Sequence, residues 1–183
     1  MGSIPTIPSF AAGDKVGVAA KIQQLADAVS FWASPPKVYA YQSGGTGTTC
    51  TTGVTTVLPL NAELYDTDTC HDNTTNPTRL VAQTPGKYTI SGGLAYAVNT
   101  TGDRTVTCRK NAAGSAAGGT IVSAGRSPAT SSGATIANLP TVEITMAAGD
   151  YIELFGLQNS GGNLATNANT TADTWLSMKL TGA

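Results

Sequence analysis

Apolar positions change rhythm twice along this chain. In the first 17 residues they are sparse: Ile4, Ile7 and Phe10 stand around Pro5 and Pro8. Each proline forbids a regular helix and pushes the residue before it toward extended geometry. The pattern predicts an extended arm over 1–17 that cannot build a core of its own. Such an arm either folds back on its own domain or lies in a groove on another chain, and we read Ile4, Ile7 and Phe10 as docking residues. From Val18 the rhythm becomes helical. Val18, Ile22, Leu25, Val29 and Trp32 are spaced 4, 3, 4 and 3 residues apart, the a/d pattern of a coiled-coil seam. Alanines at 19, 20, 26 and 28 add helix propensity, and Pro35 ends the run by removing a donor and restricting Ser34. The spacing predicts a short helix over 18–34. Two heptads are marginal alone in water, so the stripe must pack, on its own domain or on the same stripe of sister chains.

Beyond residue 35 the period falls to 2. Alternating segments at 37–42, within 51–60, and at 87–98, 104–110, 120–123, 139–146, 151–158 and 174–180 read as strands. Gly- and Asn-rich stretches at 44–47, 99–103, 111–114 and 159–162 read as their connections. Tyr88, Ile90, Leu94, Tyr96 and Val98 mostly share one face. Many short strands at regular spacing predict a mainly β, antiparallel jelly-roll sandwich over 35–183. On strand 151–158, Ile152 and Leu154 are expected in the core. Tyr151 and Phe155 are expected outside, and so is Glu153, as is Glu143 on its own strand.

Composition narrows the function. The chain has 183 residues, ten Lys+Arg against eleven Asp+Glu, and a formal charge of −1. That balance offers no basic excess for nucleic acid. No apolar run approaches the ~20 residues of a membrane span. A hydrophobic content of 40% with only 11% charged residues favours collapse over disorder. The N-terminus shows no basic region followed by an apolar one, so we expect no secretory signal. The Asn-Thr-Thr triplets at 73, 99 and 169 then read as coincidences of a Thr-rich chain. A nearly neutral, Lys-poor surface suits a protein covered by copies of itself or docked on something larger.

Candidate chemistry is thin. Cys50, Cys70 and Cys108 make an odd number, which is not a closed disulfide framework. Cys50 and Cys70 could bridge if two strands bring them together; buried free thiols are the alternative. The sharpest cluster is Asp66, Asp68, Cys70, His71 and Asp72. It could offer oxygens to Ca²⁺ or Cys/His to Zn²⁺. It fits no closed zinc spacing and lacks the Gly and Glu of an EF-hand loop, so Asp turn chemistry is the stronger reading. His71 is the only imidazole, and no serine lies in a Gly-x-Ser-x-Gly setting. We therefore assign no catalytic residue, no metal and no cofactor. The Gly-rich loops leave carbohydrate binding open.

Three features in order go beyond generic β: Pro85-Gly86-Lys87-Tyr88 opening a long strand, Gly149-Asp150 turning into Tyr151-Ile-Glu-Leu154, and a last strand from Trp175. Together they resemble the tumour-necrosis-factor-like jelly roll, also found in the heads of complement-type collagens. That resemblance covers roughly residues 37–181 and implies a trimer about a threefold axis. Ile22, Leu25, Val29 and Trp32 would then form a trimeric stalk, and Tyr151 and Phe155 would line the threefold contact. The opening stretch from Ile4 to Gly13 and the helix ending at Pro36 carry a second resemblance, joined by Tyr65 to Asn73 and by Asn76 to Leu80. These segments are similar to small virion proteins of actinobacterial tailed phages, variously called head decoration proteins, head fibres or minor tail proteins. One departure is Gly17, where that group would carry a capping Thr. The resemblance implies a non-enzymatic homotrimer on the virion surface, assembled in the host cytoplasm. It would attach to the major capsid protein or a tail protein, with a host-surface glycan as a further partner.

Overall fold

The computed structural model describes residues 4–9 and 19–182. A helix, α1 (Ala19–Ala33), precedes thirteen strands. These are β1 (Lys37–Tyr41), β2 (Gly45–Cys50), β3 (Thr56–Val57), β4 (Ala62–Asp66), β5 (Arg79–Val81), β6 (Gly86–Tyr96) and β7 (Asp103–Lys110). They continue with β8 (Thr120–Pro128), β9 (Thr135–Asn138), β10 (Val142–Met146), β11 (Tyr151–Gln158), β12 (Leu164–Ala168) and β13 (Thr174–Gly182). All pairings are antiparallel and form two sheets. One has the order β2-β12-β6-β13-β1-β4, with β9 and β10 also on β6; the other runs β3-β11-β7-β8, with β5 also on β11. The chain is a jelly-roll sandwich, as the alternating pattern predicts.

Burial follows the alternation. Val38, Ala40, Tyr88, Ile90, Leu176 and Met178 of the larger sheet face Leu80, Val106, Cys108, Ile152 and Leu154 of the smaller one. Pro140, which has no N–H, separates β9 from β10, although Leu139 still donates to Gly92 O at 2.9 Å between them.

The structure corrects two strand assignments. Residues 44–47, expected as a loop, lie mostly in β2, because glycine is used here for close approach rather than for turning. A Cβ on Gly47 would stand 2.1 Å from Thr166 Oγ1 and 2.6 Å from Gln42 Oε1. That space holds a polar ring. Thr166 Oγ1 donates to Gln42 Oε1 at 2.5 Å, Gln42 Nε2 donates to Thr48 Oγ1 at 2.8 Å, and Thr48 N–H donates to Thr166 Oγ1 at 2.8 Å. The strand expected within 51–60 shrinks to the two residues of β3.

Glycine also closes the seam between the sheets. A Cβ on Gly125 of β8 would sit 1.9 Å from the carbonyl oxygen of Asn138 on β9. Gly125→Ala should therefore force the two strands apart and lower the unfolding free energy by about 1–3 kcal/mol. Gly162→Ala, where a Cβ meets nothing within 4 Å, should change it by less than about 0.5 kcal/mol. Urea titration of both variants checks the difference.

Candidate functional site

The apolar stripe of α1 does not pack on its own domain. Ile22, Leu25, Val29 and Trp32 are 54%, 42%, 62% and 39% exposed. The helix is held instead by Ala28, which is buried, and by Phe31, which packs against the core. Its last turn closes with Ser34 N–H donating to Ser30 O at 3.2 Å. The arm at 4–9 runs beside it: Lys21 Nζ donates to Ser9 O at 3.3 Å, and Ile7 joins Leu25, Val29 and Trp32 in lining an apolar groove of about 380 Å³. Ile7 is exposed. Ile4, expected to dock elsewhere, packs against its own core. The reason is an apolar seat at the sheet end, where its Cδ1 reaches 3.5 Å from the Cβ position of Gly86, next to Leu180. Phe10 lies outside the described residues.

The expected contact on β11 is only half available. Tyr151 is half-buried, while Phe155 is fully buried within the single chain. Glu153, also expected outside, is fully buried too. The outer face of β11 is roofed by neighbouring segments. Arg109 places its guanidinium 5.9 Å from the Phe155 ring centre and donates to Gly118 O at 2.8 Å, holding the 111–119 loop over the sheet. Ile152 and Leu154 are in the core as expected. Glu143 is exposed as expected.

Alternation places a different aromatic surface on the larger sheet. Tyr39 of β1 stacks on Trp175 of β13 with ring centres 4.9 Å apart and planes 8° apart, and Tyr65 of β4 lies 6.0 Å from Tyr39. Lys37 Nζ sits 5.4 Å from the Tyr65 ring centre. Trp175 lies across β6, because Gly93 has no side chain: a Cβ there would be 2.8 Å from Trp175 Nε1. Desolvation, then the nearby Tyr65, pushes the Tyr39 phenol up to about 12, and its hydroxyl donates to Thr171 O at 2.8 Å. The outward positions of 37–42 and of the strand beginning at Trp175 carry this signal in the sequence.

The Asp/Cys/His segment is turn chemistry. Asp66 accepts from the Asp68 N–H at 3.1 Å and the His71 N–H at 2.9 Å. Asp72 Oδ1 accepts from the Thr75 N–H, the Thr74 N–H and the Thr74 hydroxyl. Those bonds, with the Thr75 N–H first, hold the Asp72 carboxyl down at about 2. His71 is closed off, with Nδ1 2.8 Å from Glu63 Oε1 and Nε2 3.2 Å from Pro77 O. No group of three or more His, Cys, Asp or Glu that could hold a metal ion occurs among the described residues. None of the described helices is long and apolar enough to cross a membrane.

Beside this segment lies a cleft of about 440 Å³ with a mixed lining, including Thr69, Asp72, Asn76, Arg79, Val81 and Tyr151. Arg79 is its central feature. Its guanidinium carbon lies 4.3 Å from the Tyr151 ring centre, and its Nε contacts Glu153 Oε1 at 3.4 Å. Glu153 is held in turn by the Thr78 hydroxyl at 2.7 Å and by the Gly114 N–H at 2.9 Å. This network was illegible in the sequence, since its members lie on β5, β11 and the 111–119 loop.

No family model matches the chain, and no curated protein matches it in sequence. Solved structures share its fold. The globular domain of zebrafish complement 1qA protein is 12% identical, covers 79% of this chain and 96% of its own, and gives a TM-score of 0.52. Eiger TNF from S. frugiperda is 11% identical over 81% and 94%, with a TM-score of 0.56. Murine APRIL at pH 8.0 is 10% identical over 79% and 98%, with a TM-score of 0.57. The fold is thus the jelly roll of the TNF and complement 1q domains.

The three cysteines are free and buried. Burial pushes Cys70 and Cys108 up to about 12 and also raises Cys50. Thiol reagents work through the thiolate, so at pH 8 none should react in the folded protein and all three should react in urea. A colorimetric thiol titration reads both numbers.

Proposed function

We propose that this chain is a non-enzymatic structural protein that assembles as a homotrimer and is displayed on the surface of a tailed phage virion. The observation that carries this reading is the heptad stripe of α1, left exposed on a jelly roll of the TNF and complement 1q type. Four large apolar side chains in register on a helix stay between 39% and 62% exposed in the single chain. Burying them against two sister helices yields roughly 25 cal/mol for each Å² removed from water. The Tyr39, Tyr65 and Trp175 face offers a second contact, so the sandwiches can meet below the helices.

The groups that could support catalysis are engaged in holding loops. Asp66 and Asp72 cap turns, both His71 ring nitrogens have partners, and the Glu153 carboxylate is enclosed. Attachment to the virion rests on the sequence resemblance together with the arm. Three arms docking at once would gain from multivalency, even where each binds weakly. Within the virion, capsid decoration suits a small domain on a short arm that repeats over a lattice. A minor tail protein is the second station, and there the loops would meet a host-surface glycan.

Light scattering of the full chain should give the mass of three copies. Leu25→Asp puts a charge into the seam and should raise the dissociation constant roughly a hundredfold. A chain beginning at Lys37 separates the two contacts: retained trimer mass assigns assembly to the aromatic sheet face, and monomer mass assigns it to the helix. A full chain that runs as a monomer overturns self-association in solution. Purified particles should carry the protein in threes and lose it on deletion of residues 1–17.

A further inference from the structure

The cleft beside β5 is built more firmly than a surface loop region requires. Four non-glycine residues among those described have positive φ: Thr69 at 50°, Asn76 at 54°, Asn111 at 56° and Ala113 at 53°. Two of them line the cleft, and the other two hold Tyr151, which also lines it. Thr69 and Asn76 line the cleft. Asn111 Oδ1 accepts from the Tyr151 N–H at 2.9 Å, and the Ala113 N–H donates to the Tyr151 hydroxyl at 3.0 Å. Asparagine tolerates this region, whereas β-branched Thr69 and Ala113 adopt it only under constraint. Strained backbone gathered at one place points to a binding or switching role there.

Arg79 lines the same cleft. Its plane is fixed by the Tyr151 ring below it and by Glu153 on Nε. Among the described residues, neither of its terminal nitrogens donates a hydrogen bond, and the side chain keeps 28% of its surface. Around it, Asp72, Asn76 and Thr75 bring carboxylate, amide and hydroxyl groups to the same cleft. A cleft of about 440 Å³ falls within the range of small-ligand sites. The charges select among ligands. Glu153 already compensates Arg79, and Asp72 adds a further negative charge, so phosphate or carboxylate ligands meet net repulsion. The lining is mixed, with Val81 and the Tyr151 ring beside Arg79, Asp72 and Asn76, and a wholly apolar ligand would leave those polar groups desolvated and unpaired. What remains is a neutral molecule dense in hydroxyls, which can accept from a guanidinium and donate to a carboxylate at once.

We infer that this cleft binds a neutral saccharide, with the two terminal nitrogens of Arg79 donating to a vicinal pair of ring hydroxyls and Asp72 accepting from the sugar. A planar fork matches two adjacent oxygens, which lysine cannot do. The inference rests on the host-glycan reading for the source of the sugar. For the site it rests on the single-chain geometry, which stands whatever the oligomeric state.

The test is an array of neutral and acidic oligosaccharides probed with the full-length protein, wild type and variants, each checked by thermal melting. Arg79→Lys keeps a cation beside Glu153 but loses the fork. Asp72→Asn keeps Oδ1 for the turn and removes the charge. Wild type should bind neutral sugars, Arg79→Lys should lower that binding by about tenfold or more, and Asp72→Asn should lower it several-fold without gain for acidic sugars. Neutral-sugar binding undiminished in a folded Arg79→Lys protein overturns the site and leaves the glycan reading to the other loops. Preference for acidic sugars overturns the ligand class. Failure of the folded wild type to bind any saccharide overturns both the site and the glycan reading.

Discussion

The two sheets can close on each other because Gly156 has no side chain where β11 meets β6. A Cβ there would stand 2.5 Å from the Tyr96 hydroxyl and 2.8 Å from Leu94 Cδ2. With that contact made, the inner faces of β6 and β11 exclude water together, and the alternation of every neighbouring strand is fixed by pairing to one of these two. β6 is long enough to carry β13 on one edge and β9 with β10 on the other. β11 does the same with β7 on one side and β3 with β5 on the other. Interiors pack as densely as crystals, so two central strands this close leave the loops to absorb what variation the sequence carries.

That arrangement explains where sequence reasoning succeeded and where it stopped. The helix and the strands β1, β6, β7, β10, β11 and β13 were legible, because their apolar positions recur at one period. β4, β5, β9 and β12 were not: each is short and carries only one or two large apolar side chains, so no alternation marks it. β2 was hidden for another reason, since Gly45 and Gly47 read as a turn until Thr166 and Gln42 are seen occupying the space beside Gly47. Glu153 and Phe155 show the limit of period 2. Alternation correctly says that they point away from the core, but it says nothing of whether solvent or a second layer lies there. Here the layer is the 111–119 loop, and the sequence separates Gly114 from Glu153 by 39 residues.

The same layer connects the fold to the cleft. A carboxylate buried under a loop is costly unless it is paired and hydrogen-bonded. Glu153 meets this with Thr78, Gly114 and Arg79, and so determines where the Arg79 guanidinium lies. The cleft thus borders the roof of β11, and its Arg79 is held in place by Glu153 and the Tyr151 ring. The exposed helix stripe has a different origin. Among the described residues of α1, Ala28 is buried and Phe31 packs against the core, while Leu25 and Val29 stay exposed, so the heptad face is left open.

Charge then decides which forces can act at these surfaces. Only 11% of residues are charged, and much of that number is spent internally: Lys110 with Asp150 at 2.7 Å, Arg126 with Asp103, Arg79 with Glu153. The heptad positions carry none, and the aromatic face carries Lys37 beside Tyr65. Long-range steering requires an uncompensated field, and neither surface has one. What these surfaces offer is contact itself: apolar area on α1, ring stacking on the larger sheet and hydrogen-bonding groups in the cleft. Such contacts are short in range and little affected by salt.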